Sequence, residues 1–135
     1  MKLNLNEKLP YEFISIIIPF RNEEANILAS LKSIESQFYP EEKYEVIYVD
    51  DFSEDNSLEL LKNNIKKNNI RVLSVPNDFS TNAHKKRAVR YGIENAKGNI
   101  IVTTDADCVH DEEWLKSLLQ SFDSVTGFVS GPVEF

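Results

Sequence analysis

An α/β fold, with a mostly parallel sheet covered by helices on both faces, follows from three features of the sequence. Short runs that are apolar on nearly every residue, such as Phe13 to Phe20 and Tyr44 to Val49, have the pattern of strands buried on both sides. Segments with apolar residues at helical spacing lie between these runs, so strand and helix alternate, and parallel neighbours joined in this way need right-handed crossovers. No internal repeat, low-complexity tract or linker breaks the alternation, and the length is that of one domain, residues 1–135.

The first predicted strand runs from Phe13 to Phe20, with Pro19 bringing it to a close. Asn22 is placed to cap the next helix, Glu23 and Glu24 suit the positive end of its dipole, and Ile27, Leu31, Ile34 and Phe38 mark its inner face. Tyr44 to Val49 is the second strand, Asp50-Asp51-Phe52-Ser53 a loop, and Leu58, Leu61 and Ile65 the stripe of a second helix. A third strand spans Ile70 to Val75. The third helix follows the loop from Pro76 to Thr81, carries Val89, Ile93 and Ala96 on one face, and stops at Gly98 in the C′ position. Ile100 to Thr104 is the fourth strand, and a fourth helix after Asp111 turns Leu115, Leu118 and Phe122 inward. Val125 to Phe135 reads as further strand material with no closing helix or polar tail. The expectation is a piece of a longer protein, with an unpaired sheet edge through which it could dimerise.

Composition narrows the functional classes. Lys and Arg number 15 against 22 Asp and Glu, a net charge of −7, which argues against a general nucleic-acid binder. A single cysteine, Cys108, excludes an internal disulfide framework and a zinc site built on several thiolates. No apolar run approaches the ~20 residues of a membrane span, and the N-terminus lacks a secretory h-region, so a soluble cytoplasmic chain is expected.

Open parallel sheets bind ligands beyond the carboxyl ends of their strands. The segment Pro19-Phe20-Arg21-Asn22-Glu23, taken alone, reads as a helix cap with flanking charges. Asp50 and Asp51 repel one another unless they are solvated or hold a donor or cation. The stretch Thr103-Thr104-Asp105-Ala106-Asp107-Cys108 is the most informative: carboxylates one residue apart at a strand end make a hard oxygen site suited to Mg2+ or Mn2+. His84-Lys85-Lys86-Arg87 is the one dense basic cluster. Cations, a helix N-terminus and a metal-ready pair at one edge suit a diphosphate. His110 reads as a hydrogen-bonding partner in its loop and Cys108 as a small buried hydrophobe. No Gly-rich phosphate loop is present, so phosphate must be held by metal and side chains.

The set as a whole, Ile16-Ile17-Ile18-Pro19-Phe20-Arg21-Asn22-Glu23, then Val49 to Ser57, then Lys85 with Ala88 and Gly92, then Thr104-Asp105-Ala106-Asp107, resembles the nucleotide-binding half of the inverting family 2 glycosyltransferases. The likeness runs from about Ile14 to Pro132. It implies a Rossmann-like GT-A fold in truncated form and a donor that is a nucleotide-diphosphate sugar, with UDP-sugars favoured, and a glycan or lipid-linked acceptor. Pro19 and Glu23 would line the base and ribose pocket, and Asp51 would accept from the imide nitrogen of uracil or an equivalent group. Lys85 would approach the nucleotide-sugar, Asp107 would ligate Mg2+ or Mn2+, and Asp105 would touch ribose or sugar or support the metal.

The chain departs from the family pattern at His84 and Arg90, where Gly and Asn are usual. The acidic residue that deprotonates the acceptor lies in the family well beyond the Asp105-Ala106-Asp107 motif, past Phe135, and Glu134 lacks the expected neighbourhood. Two other classes fit parts of the pattern. A nucleotidyltransferase shares the sheet and carboxylate pair but usually carries a Gly-rich loop after its first strand. A phospho-accepting receiver module wants its acidic pair after the first strand, not the second.

Overall fold

The computed structural model describes residues 13–79 and 84–124, with the side chains of 84–85 and 122–124 outside that set. Strands β1 (Ile14–Phe20), β2 (Tyr44–Asp50), β3 (Ile70–Ser74) and β4 (Ile100–Thr103) alternate with helices α1 (Ile27–Glu35), α2 (Ser57–Asn64), α3 (His84–Glu94) and α4 (Trp114–Ser124). The strands form one parallel sheet in the order β3-β2-β1-β4. The strand material expected at residues 125–135 lies outside the described residues.

Every residue of β1 and β2 is buried, because both faces of the sheet are covered. On one face, Ile14, Ile16, Ile18 and Phe20 join Tyr44, Val46 and Tyr48 against Ile27, Leu31 and Ile34 of α1, Leu61 of α2 and Leu115 of α4. On the other, Ile17, Ile47 and Val49 meet Ala88 of α3. Each such isoleucine contributes about 1.5–3 kcal/mol through burial, so the two central strands anchor the domain. The helices thus lie on both faces, as the sequence predicts.

Pro19 does not end β1. It pairs with Val49 in the register, and the strand continues to Phe20. Its missing N–H falls on the side facing β4, whose pairing with β1 stops at Ile17 and Thr103, so no ladder bond is lost. Asp50 likewise belongs to the strand, opposite Phe20, and not to the loop.

Three local expectations fail for tertiary reasons. The first helix begins at Ile27, with no acidic residue in its first turn, so Asn22 is not its cap. Phe38 lies beyond the end of that helix and is 56% exposed. The third helix ends at Glu94, so Gly98 is not its C′ residue. A Cβ on Gly98 would stand 2.6 Å from both the Phe13 carbonyl oxygen and Ser15 Oγ, so glycine is required there by close backbone approach. At the same edge the Gly98 N–H donates to Ser15 Oγ at 2.8 Å, and Ser15 donates to the buried Glu45 carboxylate at 2.6 Å.

Gln37 positions α4. Its side-chain amide donates to the Asp111 carbonyl at 2.6 Å and accepts the Leu115 N–H at 2.9 Å, which fixes the far end of the loop that leaves β4.

Candidate functional site

The carboxyl ends of β1, β2 and β4 meet at one edge. The Asp51 N–H donates to the Phe20 carbonyl at 2.9 Å, and the Thr104 N–H donates to that of Ile17 at 3.2 Å, so the three exits stay side by side. Between them lies a cleft of about 270 Å³ lined by Pro19, Glu23, Asp51, Asp105 and Asp107, together with Phe20, Arg21, Ala88 and Ala106. Five of the six residues singled out from the sequence therefore face one space. The sixth, Lys85, is in the first turn of α3, three residues before Ala88 of the cleft wall, and its side chain lies outside the described residues.

The loop after β1 is held by the loop after β2. Asn22 adopts a left-handed φ of 55°, a conformation asparagine tolerates better than most residues. Its Oδ1 accepts the Glu54 N–H at 2.7 Å and the Asp55 N–H at 3.3 Å. In return, Ser53 and Ser57 hydroxyls accept the Asn22 and Glu23 N–H groups at 2.9 and 2.7 Å. Asp55 accepts from the Glu24 N–H at 3.1 Å and from both the N–H and the hydroxyl of Ser57. Desolvation pushes the Asp55 carboxyl up, and these donors outweigh it and hold it below its ordinary value. Ser53, Asp55 and Ser57 thus hold this loop in place, and they set Glu23, itself bonded to the Asn26 side chain at 2.9 Å, at the cleft.

The two adjacent aspartates divide the work. Asp50 is buried and accepts the Ser53 N–H at 3.1 Å, closing the turn. Asp51, only 4% exposed, takes the Arg87 Nε–H at 2.7 Å. Of the two readings the sequence left open, that of a held donor or cation is the one observed. Arg87 was hidden among four consecutive polar residues, and the only sequence signal was that a buried acid needs a partner from the single basic cluster.

Asp105 and Asp107 are exposed on either side of the buried Ala106, whose methyl group anchors the turn in the core. Candidate ligand atoms of Asp105, Asp107 and Cys108 lie within 4.8 Å of one another. Cys108 is half-buried and not the enclosed hydrophobe expected, because it sits in a surface turn between the exposed Asp107 and Val109. Two accessible carboxylates at this spacing fit a hard divalent cation. His110 holds the base of the turn, with Nε2 2.8 Å from Thr104 Oγ1 and its ring stacked on Trp114 at 3.8 Å. Burial holds its pKa below the ordinary value, against the opposing charge of Asp111.

A parallel, helix-covered sheet with an acidic cleft at its carboxyl edge defines an α/β protein of the Rossmann-like, GT-A type. The chain belongs to Glycosyl transferase family 2, which its residues 15–134 match. This membership sets aside the nucleotidyltransferase and receiver readings. Glycosyltransferase AglE of Haloferax volcanii is 35% identical over 126 residues, covering 91% of this chain and 40% of that protein. TarS 1–349 of S. aureus in complex with UDP-GlcNAc superposes with a TM-score of 0.69 at 28% identity, over 83% of this chain and 31% of that one. The mannosyltransferase PcManGT of Pyrobaculum calidifontis in complex with GDP-Man and Mn2+ gives 0.70 at 26% identity, over 81% and 32%. The chain thus spans less than half the length of each. Among the described residues no helix is long and apolar enough to cross a membrane.

Proposed function

We propose that this chain is a single domain that carries the donor-binding part of a glycosyltransferase. That enzyme moves a sugar from a nucleotide-diphosphate sugar, UDP-sugars favoured, to a hydroxyl of a glycan or lipid-linked acceptor with inversion, at the cytoplasmic side of a membrane. The observation that carries the reading is the convergence of Pro19, Glu23, Asp51, Asp105 and Asp107 on one cleft at the ends of three strands. The nucleotide-sugar complexes of the two structural relatives support it.

Pro19 and Glu23 border the base and ribose, and the Asp51 carboxylate accepts the imide N–H of the base. Lys85 reaches the nucleotide-sugar from the first turn of α3. Asp107, with Asp105 beside it or on the ribose, would hold Mg2+ or Mn2+, as their exposed paired carboxylates suit a hard cation and PcManGT was captured with Mn2+. The ion would supply positive charge to the departing diphosphate. A carboxylate outside the present set deprotonates the acceptor hydroxyl, whose oxygen attacks the anomeric carbon in line as the nucleoside diphosphate leaves. None of the cleft acids is assigned that role.

Calorimetric titration with UDP and GDP, with and without Mn2+, tests the reading. Metal-dependent binding is expected, abolished by Asp107→Ala and weakened about tenfold or more by Asp51→Ala. A folded sample that binds neither nucleotide, or binds equally well without metal, would overturn it.

A further inference from the structure

Asp51 reaches the cleft as half of a clamped pair. The side chains of Asp51 and Arg87 are only 6% and 18% exposed, and the Arg87 Nε–H donates to Asp51 Oδ1 at 2.7 Å. The Arg87 guanidinium carbon also lies 4.6 Å from the centroid of the Phe52 ring. Phe52 has a φ of 63°, a left-handed conformation that a bulky residue keeps only where its surroundings impose it. Strain at Phe52 is therefore maintained where its ring supports the guanidinium. Asp51 and Ala88, the chain neighbours of Phe52 and Arg87, both line the cleft.

We propose that Arg87 is a positioning residue that sets base specificity: fixed between Asp51 and Phe52, it holds the Asp51 carboxylate in one orientation, so that the cleft takes a pyrimidine whose ring nitrogen bears hydrogen and rejects one whose ring nitrogen is an acceptor. This rests on the reading of the cleft as a nucleotide-sugar site with Asp51 at the base. Uracil offers an N3–H to the carboxylate. Cytosine presents a lone pair at the same place, and two acceptors facing each other away from water are both left unsatisfied. The rejection holds only if the carboxylate cannot turn aside, since a freed Asp51 could swing to accept from the neighbouring cytosine amino group. A guanidinium bonded to the carboxylate and stacked on a ring denies that rotation, and a lysine ammonium, lacking the planar fork, would not.

The test is calorimetry of the 135-residue chain with UDP and CDP in the presence of Mn2+, on the parent, Arg87→Met, Arg87→Lys and Phe52→Leu. The parent is expected to prefer UDP by about 100-fold. Arg87→Met should shrink that ratio about tenfold, Arg87→Lys should restore little of it, and Phe52→Leu, which keeps both charges, should narrow it about threefold. A part that merely braced the fold would weaken both nucleotides alike. An unchanged UDP-to-CDP ratio in Arg87→Met, or in Phe52→Leu if circular dichroism shows Arg87→Met unfolded, overturns the proposal and leaves the cleft reading intact. Absence of binding of either nucleotide by the parent overturns the cleft reading itself.

Discussion

Replacing Gly92 by alanine sets two effects of opposite sign against each other. Within a helix interior alanine is favoured over glycine by about 1 kcal/mol, so on propensity alone the variant gains. A Cβ on Gly92, however, would lie 2.6 Å from Ile17 Cγ2 and 3.1 Å from Val49 Cγ2. Carbon atoms rest at roughly 3.5–4.0 Å, so about 1 Å must be found at the Ile17 contact. Ile17 is fully buried in a central strand, and its Cγ2 branches directly from Cβ. That methyl moves only if χ1 changes in a packed core or α3 lifts from the sheet. Forcing an extra methyl into such a core costs about 1–3 kcal/mol, and a contact this short on a central strand belongs in the upper half of that range. Packing wins, and the net loss is about 1–2 kcal/mol. Urea unfolding followed by circular dichroism should show the midpoint falling by roughly 0.5–1 M. Lifting α3 also draws Ala88 and Arg87 away from the cleft, so UDP affinity should fall together with stability. A midpoint equal to or above that of the parent would refute the argument, since helix propensity would then outweigh the contact with Ile17.

Asn22→Ala should lose about 1–2 kcal/mol, from a side chain in a left-handed position and two N–H groups deprived of their acceptor, whereas Asn22→Gly, which accepts that φ freely, should lose less; the reverse order of urea midpoints would sink the account of this loop. His110 titrates below its ordinary value of 6.5 in the folded chain, because burial disfavours the imidazolium, so the unfolded chain takes up its proton first as the pH falls. Its contribution to stability is complete above about pH 6.5, declines as the pH drops from there through the lower folded value, and is then level. Urea midpoints at about pH 7.5 and 5.5 should therefore differ more for the parent than for His110→Gln, and equal differences would count against the buried neutral imidazole.

Much of this molecule is legible residue by residue. Phe13 to Phe20 and Tyr44 to Val49 are apolar on nearly every position rather than alternately, the pattern of a strand covered on both sides, so the parallel sheet and its helical layers follow from it. The chemistry at the strand ends is legible too, since Pro19, Glu23, Asp51, Asp105 and Asp107 belong to short motifs at predictable exits, and those exits converge. The misreadings share one cause. Asn22 is a sound N-cap by local rules, yet its acceptor is claimed by N–H groups more than thirty residues away, at Glu54 and Asp55. Gly98 has the look of a helix stop, and its lack of a side chain is instead required by the Phe13 and Ser15 backbone.

The sequence by itself determined the order of elements, the sheet edge at which the cleft opens and the carboxylates that line it, because hydrophobic periodicity and strand-end position are properties of neighbouring residues. Only the tertiary structure decided partners: that Asp50 turns back to the Ser53 N–H, that Arg87 is the cation that holds Asp51, and that Phe52 bends into a left-handed conformation beneath the guanidinium. The last two choices depend on distances between residues 35 and 36 apart in the chain, from Phe52 and Asp51 to Arg87, and packing of α3 against the sheet sets them.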